Sequence, residues 1–218
     1  SLLWGFAVLN HAPHGLLRDL EEHLLERVGD DLIVSSSSPR WTTKQWATLL
    51  WALAVLGRAG SPLVGAVMRE LSLHGQDLKN AGPHALHQLH QAWEARLRES
   101  GNNPDVTAEA AACSVRRTAQ AAWLQHLVDA RPIKSRYQEY LVSGLIRLGV
   151  VDFVEEDVSS GYQVDVALPE LRLALEADGP THRSRTTGSL LGSTVLKHRA
   201  LEAQGWRVVS LSSDVMDT

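Results

Sequence analysis

Apolar residues recur at helical spacing through the first half of the chain. Leu2, Leu3, Phe6 and Leu9 lie on one helical stripe, closed by Asn10-His11-Ala12-Pro13. Leu17, Leu20, Leu24, Leu25 and Val28 form a second stripe, with acids and arginine on the opposite face and Gly29 as its stop. Ser35–Ser38 and Pro39 read as a flexible loop. Thr42 or Thr43 is placed to cap a third helix through Leu56, which Gly57 to Pro62 ends. Further helices are predicted over 63–73, 83–99 and 106–128.

The first and third of these stripes repeat. LLWGFAVLNHA at 2–12 returns as LLWALAVLGRA at 49–59, with Trp, the Leu positions and the trailing turn in register. Repeated helix pairs of this kind predict an α-helical repeat, or α-solenoid, in which each pair buries its apolar face against its neighbour. A degenerate third unit is expected from Pro83-His84-Ala85-Leu86. Trp4, Trp46, Trp51, Trp93 and Trp123 sit among leucines and read as core, Trp206 likewise. Trp41, beside Arg40 and Pro39, is the tryptophan whose exposure is open. His84, His87 and His90 recur every three residues, with no cysteine beside them, and read as a polar helix face, not a zinc site.

The pattern changes near Arg131-Pro132. Tyr137, Leu141, Leu145 and Leu148 define a helix ended by Gly149. Short β-branched runs follow at 150–154, 162–168, 171–177 and 208–211, with a helix over about 192–204 before the last. The order α-β-β-β-α-β predicts an α/β domain with a short mixed sheet. Residues 1–130 are thus assigned to the helical-repeat region and 131–218 to the second domain.

Composition narrows the classes. The 218 residues are 44% hydrophobic and 21% charged, as in a globular protein. The longest apolar run, around Trp51–Leu56, is far short of the ~20 residues a membrane span requires. The single Cys113 excludes an internal disulfide framework and a multi-thiolate metal site, and fits a reducing compartment. The chain opens inside an apolar helical stripe, without initiator Met or signal-like segment, so whole elements are expected before Ser1. The net charge of −4 divides evenly, −2 for 1–130 and −2 for 131–218, so neither half coats polyanions indiscriminately.

Candidate chemistry concentrates in Tyr162–His182. Asp165 lies mid-strand, Pro169 makes the hairpin turn, and Glu176 and Asp178 end the next strand on one face. Convergent carboxylates suit a divalent cation such as Mg2+, which activates water against a phosphodiester. His182 would be a general acid or a ligand. This order resembles the restriction-endonuclease-like core, with Asp178 where that core usually carries Lys and Lys197 as a substitute from the following helix. In the alternative, the carboxylates are solvated or hydrogen-bonded at strand ends, Asp178-Gly179 is a turn and His182 caps it.

The run VDVALPELRLALEADGPTH followed by LGSTVLKHRALEAQGWRVVSL resembles the RAP domain, over about 133–213. It departs where many such domains read DGP-x-H-Phe, having Arg183, and where they often carry Asn, having Thr186. The helical half is similar to the octotricopeptide-type repeats that precede this domain. The resemblance implies an organellar RNA-binding protein, in a mitochondrion or alternatively a chloroplast. It implies messenger or ribosomal RNA and ribosomal or RNA-processing proteins as partners, and a nuclease-like fold. With only two or three repeats to read bases, the expected role is to hold RNA, as a component or assembly factor of a mitochondrial ribosome. No cofactor is required for that, and Mg2+ enters only if the chain cleaves RNA.

The predicted RNA contacts follow the acidic strand ends. Arg183, Arg185, Thr186 and Thr187 offer donors from a loop, Ser193 and Thr194 open a helix N-terminus, and Lys197, His198 and Arg199 follow on that helix. Lys197 and Arg199 are about 200° apart on it and cannot follow one phosphate track. In the repeats, Asn10/His11 and Gly57/Arg58 hold equivalent places, which makes His11 and Arg58 candidates for a nucleotide-reading surface.

Overall fold

Helix α3, Thr43–Val55, starts at a capping box: Gln45 N–H donates to Thr42 Oγ1, and the Gln45 side chain accepts from Thr42 N–H. Its residues from Leu49 to Val55 are all buried. In this computed structural model, residues 2–28, 41–74, 78–101, 103–130 and 134–212 are described. The Ser35–Ser38 loop, the Gly29 stop and the Arg131-Pro132 boundary lie outside them. The chain divides into two units, Ser1–Leu124 and Gln125–Thr218.

In the first unit, α1 (Leu2–Val8) and α5 (Leu78–Glu99) both pack against α3, while α2 (His14–Val28) packs against α4 (Pro62–His74). The repeated sequence builds the same turn twice. Asn10 N–H bonds Ala7 O and His11 N–H bonds Phe6 O; 47 residues on, Gly57 N–H bonds Ala54 O and Arg58 N–H bonds Leu53 O. Asn10 and Gly57 are both left-handed, at φ 49° and 72°, as this helix ending demands. Polar ties fix the neighbours. Trp51 Nε1 donates to Gln91 at 2.9 Å, and Arg96, 8% exposed, reaches the carbonyls of Ala59 and Ser61 in the α3–α4 turn.

Several expectations for this unit are corrected. The helix over 106–128 is two, α6 (Pro104–Ala112) and α7 (Ser114–Asp129), because buried Cys113 is extended at ψ 114° and its Sγ lies 3.0 Å from Ser72 Oγ. α5 changes direction at Gly82, φ 77°, where Pro83 starts its second segment. His90 is not on a polar face: it is 7% exposed and stacks on Trp123 at 5.3 Å, with His87 edge-on to the same ring. Trp4 is 44% exposed, unlike its repeat partner Trp51. Trp41 is half-buried, its ring tilted against that of Trp46 with centroids 4.5 Å apart. It lines an apolar groove of about 650 Å3 with Leu2, Leu3, Phe6, Leu16 and Leu20.

The second unit holds α8 (Arg136–Arg147), β1 (Val154–Asp157), β2 (Val164–Leu168), β3 (Leu173–Asp178), α9 (Gly192–Ala203) and β4 (Arg207–Ser212). The sheet runs β1-β2-β3-β4, antiparallel except for the β3–β4 pair, whose parallel sense requires the α9 crossover. The first strand lies four residues later than its apolar run, since Val150 and Phe153 pack into the core ahead of it. Pro169–Leu171 form a 3-10 turn that Arg172 closes at φ 48°. Alternation sends Val166, Leu168, Leu175 and Ala177 into one core with Leu141 of α8.

Candidate functional site

The other face of that alternation carries the acids. The register Asp157↔Val164 and Val166↔Leu175 sets Asp165 of β2 between Glu156 of β1 and Glu176 of β3. Ser210 of β4 pairs in register with Glu176 and continues the row. Glu156 adopts φ 54°, a strained backbone for a residue of this kind.

Each carboxylate has a donor within the protein. Lys197 Nζ of α9 lies 2.7 Å from both Glu176 oxygens. Asp165 Oδ2 accepts the Ala177 N–H at 2.8 Å. Asp178, 1% exposed, accepts from Ser210 Oγ and lies 3.4 Å from His182 Nδ1. Glu156 accepts from the amides of Gln138, at 2.6 Å, and Gln163. Burial pushes Glu176 up to about 7 against the pull of Lys197, and raises Asp165 against its Ala177 bond. Among the described residues, no three His, Cys, Asp or Glu side chains converge in a geometry that could hold a metal ion. The groups facing the carboxylates are the Lys197 ammonium, the Ala177 N–H, the Ser210 hydroxyl, the Gln138 and Gln163 amides and the His182 ring, so as arranged they do not fit a divalent cation.

Beyond the strand ends the chain turns outward. Pro180–His182 form a 3-10 turn, and Arg183 bridges to Leu190, closing a loop that Gly188 N–H→Ser184 O and Ser184 N–H→Ser189 O hold at 2.8 Å each. Arg185, Thr186 and Thr187 are exposed on it, and His182 is half-exposed beside it. Arg183 is half-buried, with Nη1 donating to Gly188 O. Leu191 caps α9 without a side-chain bond. Ser193 in its first turn is exposed, whereas Thr194 is buried, 7% exposed.

The helix candidates separate further. Lys197 is committed to Glu176. His198 is half-buried, its Nε2 has no hydrogen-bond partner, and burial lowers its pKa. Arg199 is half-buried. The first unit supplies His11, exposed and tilted against Phe6 at 5.8 Å, and Arg58, whose guanidinium clasps buried Glu21. Arg58 thus ties the α3–α4 turn to α2.

Sequence reasoning missed three neighbours of the site. Gln138 is 3% exposed and also reaches Asp165 O; its signal is a polar residue in phase with Leu141 and Leu145. Tyr137 packs beside Gly179, where an added Cβ would meet its ring at 3.5 Å. Arg136 stacks over that ring at 4.6 Å.

Residues 175–216, from β3 through α9 and β4, match the RAP domain family. The chain carries a RAP domain. It is also 26% identical, over 256 aligned positions, to a RAP domain-containing protein, chloroplastic, of Oryza sativa subsp. japonica. That alignment covers 97% of this chain and 36% of the relative, so the chain spans about a third of the length of the relative it matches. The RAP match begins at the buried acids and includes the exposed Arg185–Thr187 loop and all of α9.

Proposed function

We propose that this chain binds RNA in an organelle and holds it without turnover, through the loop and helix start of its RAP domain. One observation carries the reading. The RAP match includes a loop, closed by backbone hydrogen bonds, that presents Arg185, Thr186 and Thr187 to solvent, with Arg183 at its base and Ser193 in the first turn of α9, which has no side-chain cap. Guanidinium groups, hydroxyls and free helix N–H groups are the donors that phosphate and 2′-hydroxyl oxygens accept. The chloroplast in the relative's name supports a plastid over a mitochondrion.

The helical unit serves in this reading as a short solenoid. The identical turn hydrogen bonds 47 residues apart and the packing of α1 and α5 on α3 support that view. A few helix pairs read few bases, which suits a scaffold on ribosomal or messenger RNA, such as an organellar ribosome component or assembly factor. The alternative, a metal-dependent endoribonuclease, draws on the Glu156–Asp165–Glu176 row. Mg2+-dependent cleavage lost in both Asp165→Ala and Glu176→Ala would establish it. The direct test of the binding reading is photocrosslinking to 4-thiouridine RNA with peptide mapping. Crosslinks within 179–199 are expected, and crosslinks confined to residues before 125 would overturn the site.

A further inference from the structure

The acids of the RAP unit look at first like an open cation site, yet every one is already answered from within. The answers come from different elements: Lys197 of α9 on Glu176, the β3 backbone on Asp165, Ser210 of β4 and His182 on Asp178, and Gln138 of α8 with Gln163 on Glu156. Among the described residues, Lys197 is the ammonium or guanidinium paired with an acid of the row. Its Nζ donates to Glu176 Oε2 at 2.7 Å and stands 2.7 Å from Oε1, which it meets as an ion pair without a hydrogen bond. Glu176 is 4% exposed, and a charge that deep requires a partner.

We propose that Lys197 is a built-in counter-cation that occupies the carboxylate cluster and closes it to divalent metal, so that the RAP unit handles RNA without a metal ion. The RNA half of this statement rests on the binding reading above; the counter-cation half does not. The consequence for RNA contacts is specific. Lys197 does not donate to phosphate, and the RNA-facing charge comes from the loop.

The test uses the full 218-residue chain and two readouts that do not involve RNA. Mn2+ titration followed by electron paramagnetic resonance is expected to show no stoichiometric uptake by the unmodified chain. One Mn2+ per chain, lost in Glu176→Gln, would overturn the proposal. Amide exchange of β2 and β3 then reads the salt link. Lys197→Met is expected to speed exchange at least tenfold, and Lys197→Met/Glu176→Gln to recover most of that protection, because the stranded carboxylate is gone. If Lys197→Met does not fold at all, a folded double variant is the supporting result. A double variant no better protected than Lys197→Met, or one that also fails to fold, would overturn the counter-cation role. RNA affinity is measured separately, with and without EDTA, so a chain that binds no RNA refutes the binding reading and leaves the salt link standing on its own data.

Discussion

Gly65→Ala probes how the helix pairs are locked together. A Cβ at Gly65 in α4 would lie 2.6 Å from Arg96 Nη2 and 3.1 Å from Cζ, closer than real Cβ contacts come. Arg96 is only 8% exposed and spends Nη1 on the carbonyls of Ala59 and Ser61, at 3.3 and 3.5 Å. It cannot swing aside without surrendering those bonds. A helical Gly→Ala change by itself gains about 1 kcal/mol. Displacing a buried, charged donor from two long bonds costs about 3 kcal/mol. The net is a destabilisation of about 2 kcal/mol, or roughly 8 °C in the melting temperature of a unit this size. Tryptophan fluorescence follows it well, since six of the seven tryptophans lie before residue 125. Gly5→Ala is the control: nothing lies within 4 Å of its added Cβ, and its repeat partner is already Ala52. It is expected to stabilise by about 0.5–1 kcal/mol. Equal effects of the two substitutions, in sign and size, would refute the argument from Arg96.

The same unit carries a pH dependence. Burial holds the pKa of His90 at about 4, below its ordinary 6.5, so the unfolded chain binds the extra proton between those values. The stability held above pH 6.5 is therefore lost progressively down to pH 4, by roughly 3 kcal/mol, and His90→Phe should flatten that slope in urea titrations. A slope unchanged by the substitution would count against the buried neutral imidazole. Arg58→Ala strands Glu21, which is 7% exposed, and should cost about 2 kcal/mol while leaving RNA affinity within twofold. A large loss of RNA affinity with intact stability would return Arg58 to the binding surface.

The fold was legible where local chemistry decided it. The 47-residue repeat reappears as the same pair of turn hydrogen bonds, because Asn10 and Gly57 are residues that tolerate the left-handed ending. The hairpin at Pro169 and the crossover through α9 follow from turn residues and strand lengths in the same way. Cys113 is not legible as a break: no Gly or Pro marks it, and its extended backbone coincides with a tertiary contact to Ser72. The acids of β2 and β3 are legible in the sequence, but their partners are not. Spacing places Asp165, Glu176 and Asp178, whereas Lys197, Gln138 and Ser210 reach them from 21, 27 and 32 residues away, a pairing only the packed sheet determines. For the same reason the basic cluster of 183–199 divides into an exposed loop and a committed helix, a division that charge counting does not see.

RNA binding by the Arg183–Leu190 loop is the proposal on which the rest depends. Its most direct test is the salt dependence of single-stranded RNA affinity, by fluorescence anisotropy, for the unmodified chain and for Arg183→Ala/Arg185→Ala. If both arginines meet phosphates, the double variant binds more weakly and its log–log salt slope is shallower by about 1.4, at about 0.7 per phosphate contact on a single strand. An unchanged slope and affinity in a folded double variant would contradict the account.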